Sequence, residues 1–395
     1  MDPITHGLTG ALIGKAFFAE RHDLAPKGAG RRRLAVFAAT AGAVFPDLDL
    51  VLGPLTRNDL AVIELHRGVT HSFLCLPVFA LLLAALTRGY ARRRGRKTLS
   101  WGALSLIYGL GIASHILLDL ITSFGTMIWS PWRHARVQWD LVFIVDFAMS
   151  AIVLLPQVVA HVYREREGSR ARAARAWGLF TLLALAAKGL LGAAGFPISL
   201  RTVVVASLLF AALFFLPGWR GGGFGVRRSS WARAALLALL AYLGLCAAAH
   251  RAALRRVEQF AASQHLRVEQ LGALPLPPSA AHWIGLIRTP EGVYEARLDL
   301  LSHNPGRESP AFRFLADAAP NGYIEAARQL PRAQTYLWFA RFPVYRFAEQ
   351  DGRKVVEISD LRFFGRRARP SPFTFRVTFD AAGRVIGHGL ATGVR

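Results

Sequence analysis

The chain has 395 residues, 53% of them hydrophobic, with mean hydropathy +0.32, a net charge of +23 and a pI near 11.3. Soluble domains are nearer 45–50% apolar, and the basic residues stand in short blocks between apolar runs. This excludes a continuous nucleic-acid-binding face and fits the positive-inside loops of a membrane protein. The two cysteines, Cys75 and Cys246, fall inside apolar runs and exclude a disulfide framework or a CxxC zinc motif.

The opening Met-Asp-Pro-Ile-Thr-His lacks a basic segment and a small-residue cleavage site, so no cleaved signal peptide is expected. Apolar runs follow at about 4–19, 34–52, 72–88, 101–121, 141–161, 177–195, 202–219 and 231–249. Several are shorter than the ~20 residues that cross a ~30 Å hydrocarbon core. Basic blocks at 21–33, 88–97, 164–175 and 220–233 alternate with basic-poor connections at 50–70, 122–140 and 196–201. Eight spans put every one of these blocks on the cytoplasmic side and both termini on the other. Only Arg251, Arg255 and Arg256, after the last run, stand against that orientation.

Beyond residue 250 the texture changes. Residues 251–265 have helical spacing, and a Pro-rich break at 275–278 follows. Alternating segments at 293–300, 342–347, 355–358, 373–379 and 385–390, separated by turn residues, predict antiparallel hairpins. The expected fold is mainly α: a polytopic bundle of about six to eight spans, then a small, sheet-rich α+β domain facing water. The expected organisation is 1–161 for a helical region carrying the site, 162–250 for further spans, and 251–395 for the C-terminal domain.

The residues able to do chemistry gather in the first 150 positions: His6, Asp47 and Asp49, His66 and His71, His115 and Asp119, with Asp140 and Asp146 as second-rank candidates. Each alone has an ordinary reading as a helix cap, turn or headgroup-level residue. His115 and Asp119, at i and i+4 on one helical face inside an apolar run, resist it, because ionisable groups in a span cost ~2.5–3.5 kcal/mol each and usually mark function. In the eight-span arrangement all the candidates fall at one membrane face, opposite the basic loops.

Such a His/Asp set suits Zn2+ or Mn2+, and its size leaves room for two ions. Asp49 and Asp119 are candidate catalytic carboxylates. Arg67 is a candidate for neutralising charge on a phosphoryl or acyl oxygen. Thr70, Ser72, Thr122 and Ser123 are supporting hydrogen-bonding groups or caps, and Trp129, Trp132 and Trp139 form an interfacial belt.

Thr5-His6-Gly7, Pro46-Asp47-Leu48-Asp49, His66-Arg67-Gly68-Val69-Thr70-His71-Ser72, and His115-x-x-x-Asp119 with Thr122 and Gly125 together resemble the YdjM-type family of inner-membrane metal-dependent hydrolases. The resemblance covers about residues 1–150. It implies a multi-pass bacterial inner-membrane protein with His and Asp metal ligands and hydrolase activity. The ligand pattern is also distantly similar to that of zinc-dependent phospholipase C, which implies phosphoester substrates. The expected function is hydrolysis of a lipid-linked or amphiphilic ester at the non-cytoplasmic face. Membrane lipids are the expected partners, and nucleic acid is not. A metal-ion transporter and a scaffold with a structural metal are the alternatives.

Overall fold

A computed structural model describes residues 1–18, 29–56, 58–193, 198–219, 221–301, 311–350, 352–363 and 373–391. Most of the first basic block, and part of the connection at 196–201, lie outside the described residues. Asp2 caps α1 (Pro3–Ile13), accepting from the Thr5 amide with Pro3 in the first turn, and a π-helical turn, Gly14–Phe18, extends it. Next, α2 (Ala29–Val44) runs into a 3-10 segment, Phe45–Val51. Pro46 has no N–H to continue the α ladder there.

Two short helices, α3 (Leu52–Thr56) and α4 (Ala61–Glu64), and a 3-10 turn, Val69–His71, lead into α5 (Leu76–Arg93). The chain bends by 75° between Ala61–His71 and Leu76–Arg93. The remaining helices are α6 (Trp101–Leu120), α7 (Phe147–Val162), α8 (Ser169–Ala193), α9 (Leu200–Trp219) and α10 (Arg228–Ser263). Five segments among the described residues are long and apolar enough to cross a membrane, or six if the bent pair is one span. The run expected at 4–19 is helical as far as Phe18, the last described residue there, and the one at 141–161 is helical only from Phe147; neither is long enough to qualify. The run expected to be helical from residue 72 starts instead at Leu76, after the bend.

The helices that carry the histidines approach one another through small residues. A Cβ on Gly10 would lie 2.6 Å from the Ala39 carbonyl oxygen. One on Gly42 would meet the Tyr108 carbonyl oxygen at 2.7 Å, and one on Gly111 would meet the Ala43 amide at 2.9 Å. All are closer than real Cβ contacts. Thus α1, α2 and α6 touch backbone to backbone, as membrane helices do where small residues face each other.

The span expected at 231–249 and the helix expected at 251–265 are one element. No Gly or Pro interrupts residues 245–271, and Ala247, Ala248 and Ala249 favour helix across the junction. The 36 residues of α10 are roughly 54 Å long, well beyond a ~30 Å hydrocarbon core. Its C-terminal half, through Ala253, Val257 and Ala261, packs on Trp283 and Ile287 of the first sheet.

That sheet holds β1 (Gln270–Leu276), β2 (His282–Thr289), β3 (Gly292–Asp299) and β4 (Arg313–Ala316) in sequential antiparallel order. Then come α11 (Gly322–Gln329) and α12 (Pro331–Phe339). A second antiparallel sheet follows, of β5 (Pro343–Gln350), β6 (Arg353–Asp360), β7 (Thr374–Phe379) and β8 (Val385–Leu390). The expected hairpins are present. The Pro-rich stretch read as a break partly belongs to β1, where Pro275 sits on an edge strand and withholds no interior hydrogen bond. The two sheets share a core of Leu286, Val293, Phe342 and Val344.

Candidate metal centre

Each sequence motif reaches the same point from a different element. His6 comes from α1, Asp47 and Asp49 from the 3-10 segment after α2, and His66, Arg67 and His71 from the bend before α5. His115 and Asp119 come from the last turns of α6. His115 Nε2 stands 3.0 Å from His71 Nε2 and 3.4 Å from both Asp47 Oδ1 and Asp119 Oδ2. His71 Nε2 is 3.2 Å from Asp119 Oδ2 and 3.6 Å from Asp47 Oδ1. One ligand atom from each of these four residues lies within 4.8 Å of all the others.

His6 stacks on His115 with ring centroids 3.6 Å apart, and its Nε2 is 3.3 Å from Asp119 Oδ1. A second group, Asp49, His66 and His71, shares His71 through its other nitrogen: Nδ1 lies 3.2 Å from Asp49 Oδ2, and His66 Nδ1 is 2.8 Å from Asp49 Oδ1. His6, His71, His115 and Asp119 are fully buried, and the Asp47 side chain is 8% exposed.

The hydrogen bonds fix which nitrogen of each ring faces the centre. His115 Nδ1 donates to the Ala43 carbonyl at 2.7 Å. His71 Nδ1 lies against Asp49 and Thr70 Oγ1. With both protons on Nδ1, two Nε2 lone pairs face each other at 3.0 Å, an approach that is repulsive unless positive charge stands between them. Both ring nitrogens of His6, Asp47 Oδ2 and Asp119 Oδ2 are buried without a hydrogen-bond partner. Leaving a group in that state costs about 1–3 kcal/mol. A cation at the centre would satisfy Asp119 Oδ2, which lies within 3.4 Å of both facing Nε2 atoms, and would separate those two lone pairs; the donors are the imidazole and carboxylate set that binds divalent transition metals. The residues therefore fit a metal ion.

Asp49 has a different place. Besides the two histidines it accepts from the Arg67 amide at 3.1 Å and from Thr70 Oγ1 at 2.8 Å. Both its oxygens are engaged, and with His66 and His71 it forms a second group whose ligand atoms could hold a metal ion. Arg67 is 1% exposed and takes φ +63, a left-handed conformation rare for a residue with a Cβ. Its Nη2 is 2.8 Å from Asp119 Oδ1, Nη1 donates to Thr122 Oγ1 at 2.8 Å, and the guanidinium lies over the Phe124 ring. The Met1 ammonium also contacts Asp119 Oδ1.

Asp140 and Asp146 do not join the cluster. Asp140 accepts from Arg341 at 2.9 Å, and Asp146 caps α7 and binds Ser279. Ser72 bonds the Ile128 carbonyl, and Trp129, Trp132 and Trp139 are all more than 40% exposed.

Sequence reasoning missed two arginines. Arg136 donates to the Gly125 carbonyl at 2.8 Å, the His66 carbonyl at 3.0 Å and the Ile63 carbonyl, tying the loops that carry the site. Burial, with Arg67 and Arg362 nearby, pushes its guanidinium down to about 9, which leaves it charged at neutral pH. Gly125, at φ +88, supplies a turn that a side chain would strain. Arg362, next to β6, donates to the Ser123 carbonyl at 2.9 Å. Nothing in the spacing of either arginine distinguished it from its basic neighbours.

Beside Asp49 and His66 a cleft of about 240 Å3 is lined also by Leu50, Asn58, Asp59 and Val62. Near it in the chain, Leu48, Val51 and Leu55 are exposed.

Residues 1–195 match the family model described as YdjM inner membrane protein. No curated protein and no solved structure matches the chain.

Proposed function

Over residues 1–195 the chain belongs to the YdjM inner membrane protein family, and from that premise we propose that it is a membrane-embedded, metal-dependent hydrolase of a lipid-linked or otherwise amphiphilic ester or phosphoester. The observation that carries this reading is the 3.0 Å approach of two Nε2 atoms whose Nδ1 partners are fixed, with carboxylates beside them. His71, His115, Asp47 and Asp119 would hold the ion, with His6 against them. A bound divalent cation supplies Lewis acidity, acidifying water and polarising an ester or phosphoryl oxygen.

The remaining chemistry belongs to the chain. Asp49 accepts a hydrogen bond from His66 Nδ1, which keeps its proton and leaves Nε2 free as a base; His66 borders the cleft with 13% of its side chain exposed. His66 Nε2 then accepts a proton from the attacking water, with Asp49 stabilising the imidazolium. Arg67 holds Asp119 in place and sets positive charge beside it. Leu48, Leu50, Val51 and Leu55 receive the apolar part of the substrate, at the non-cytoplasmic face by the charge pattern of the loops.

Elemental analysis of the detergent-purified protein, beside His71→Ala, tests the metal. Wild type is expected to hold one or two transition-metal ions per chain and the variant to lose them; a metal-free, folded wild type ends the proposal. Hydrolysis is then tested with a panel of lipid esters and phosphoesters.

The complete burial of His6, His71, His115 and Asp119 favours a second reading, a closed structural metal site. Structural sites keep no open coordination position. In Co2+-substituted protein, azide or cyanide should shift the visible bands if the site is catalytic and leave them unchanged if it is structural.

A further inference from the structure

At the other end of the bundle lies a second polar pocket. From His6, α1 and its π turn lead to Lys15, roughly 13 Å along the axis. From Asp146, α7 leads in the same direction to His161, and α10 begins there at Arg228. Between these three ends is a cavity of about 150 Å3 whose lining includes Lys15, Gln157, His161, Arg164, Arg228 and Trp231. Among the described residues that line it, three are basic side chains, one is a histidine and none is a carboxylate.

The cations there are poorly compensated. Lys15 Nζ donates to the neutral Gln157 Oε1 at 2.6 Å. The Arg164 pair with Glu165, at 3.8 Å between side chains 41% and 65% exposed, is a weak surface contact. Arg228 has no hydrogen bond or ion pair among the described residues. His161 has Arg164, Arg172, Arg228 and Lys15 as its charged neighbours. Arg227 makes no side-chain cap on α10, so the positive end of a 36-residue helix opens here too.

A group of like charges is unfavourable, and an anion with several acceptor oxygens would relieve it. A basic pocket between membrane helices, with an aromatic ring at its wall, is the kind of place where anionic headgroups bind. We infer that this pocket binds the phosphate of an anionic phospholipid from the leaflet opposite the His/Asp cluster. Phosphate oxygens accept from Lys15, Arg164 and Arg228, and the Trp231 ring lies beside the glycerol.

The test uses the full chain, delipidated in detergent, as wild type, as Arg164→Gln/Arg228→Gln, and as a control, Arg92→Gln/Arg93→Gln, at the end of α5. Arg164, Arg228, Arg92 and Arg93 are all exposed, so both variants should fold, which size-exclusion chromatography checks. Native mass spectrometry reads retention of dioleoylphosphatidylglycerol against dioleoylphosphatidylcholine, and thermal unfolding reads stabilisation. Wild type and control are expected to retain the anionic lipid over the zwitterionic one, with retention falling about tenfold or more in the pocket variant. Inorganic phosphate at the same concentration should leave the unfolding midpoint unchanged. Equal retention of both lipids, equal loss in pocket variant and control, or a midpoint shift by inorganic phosphate matching that by lipid would each overturn the assignment.

Discussion

His71 Nδ1 lies against Asp49 and Thr70 Oγ1, so the ring is oriented from that side and its Nε2 is turned to the centre. Thr70→Val removes the hydroxyl that bonds Asp49 and loosens that orientation without touching a ligand atom. Metal affinity, measured by competition with a chelator, is expected to fall about 10–100-fold while the fold is retained. Asp119→Asn should be harsher. It leaves the buried Arg67 guanidinium without its carboxylate, and breaking such a pair costs about 3–5 kcal/mol. The thermal midpoint in detergent should drop accordingly, and Arg67→Met with Asp119→Leu should recover part of the loss.

At this scale the site was largely legible. His115 and Asp119, ionisable groups at i and i+4 inside an apolar run, stood out by themselves, while His6, Asp47, Asp49, His66, Arg67 and His71 were legible as candidates only as a set. The Ala43 carbonyl, which fixes the His115 tautomer, could not be read, because a backbone atom has no signature in sequence. Asp140 and Asp146 misled for the opposite reason: in sequence a carboxylate looks the same whether it faces a metal, pairs with an arginine about 200 residues away, as Asp140 does, or caps a helix, as Asp146 does.

Among elements, the junction of α2 and α6 decides where His115 meets Ala43. Gly111 allows it, since an added Cβ would strike the Ala39 carbonyl oxygen and the Ala43 amide. Gly111→Leu is expected to cost at least about 1–3 kcal/mol and to abolish metal retention by moving α2 away. Gly102→Leu on the same helix, where nothing lies within 4 Å, should leave the metal content unchanged. Hydropathy indicated that helices occupy these runs, because lipid demands it. Hydropathy carries no information about which faces meet, so the glycine contacts emerge only in three dimensions. The short helices α11 and α12 escaped notice because each is less than ten residues of mixed polarity.

For the whole molecule, the C-terminal part is seated on the loops that carry the centre. Leu60, Ile63 and Phe124 belong to the same apolar core as Tyr336, Phe339 and Phe375. Arg341 Nη1 donates to both oxygens of Asp140 at 2.9 Å. Trp338 Nε1 bonds the His134 carbonyl, and Asp59 pairs with Arg332. Arg341→Ala should free the 122–140 segment by the worth of a charged hydrogen bond, about 1.5–3 kcal/mol. Hydrogen exchange there is expected to quicken roughly 10–100-fold; unchanged exchange would mean the docking does not depend on this pair. Whether the C-terminal part covered the site or pointed elsewhere was illegible, because these contacts join residues far apart in the chain.

That seating has a consequence in time. The last residue of the His/Asp cluster is Asp119, and the first helix of the covering core, α11, begins roughly 200 residues later. At synthesis rates of about 5–20 residues per second, with N-terminal parts folding first, the ligands are assembled for on the order of 10–40 s before their cover exists. On the reading that the centre holds a metal, its ligands stand uncovered during synthesis to the ions that meet the half-made chain.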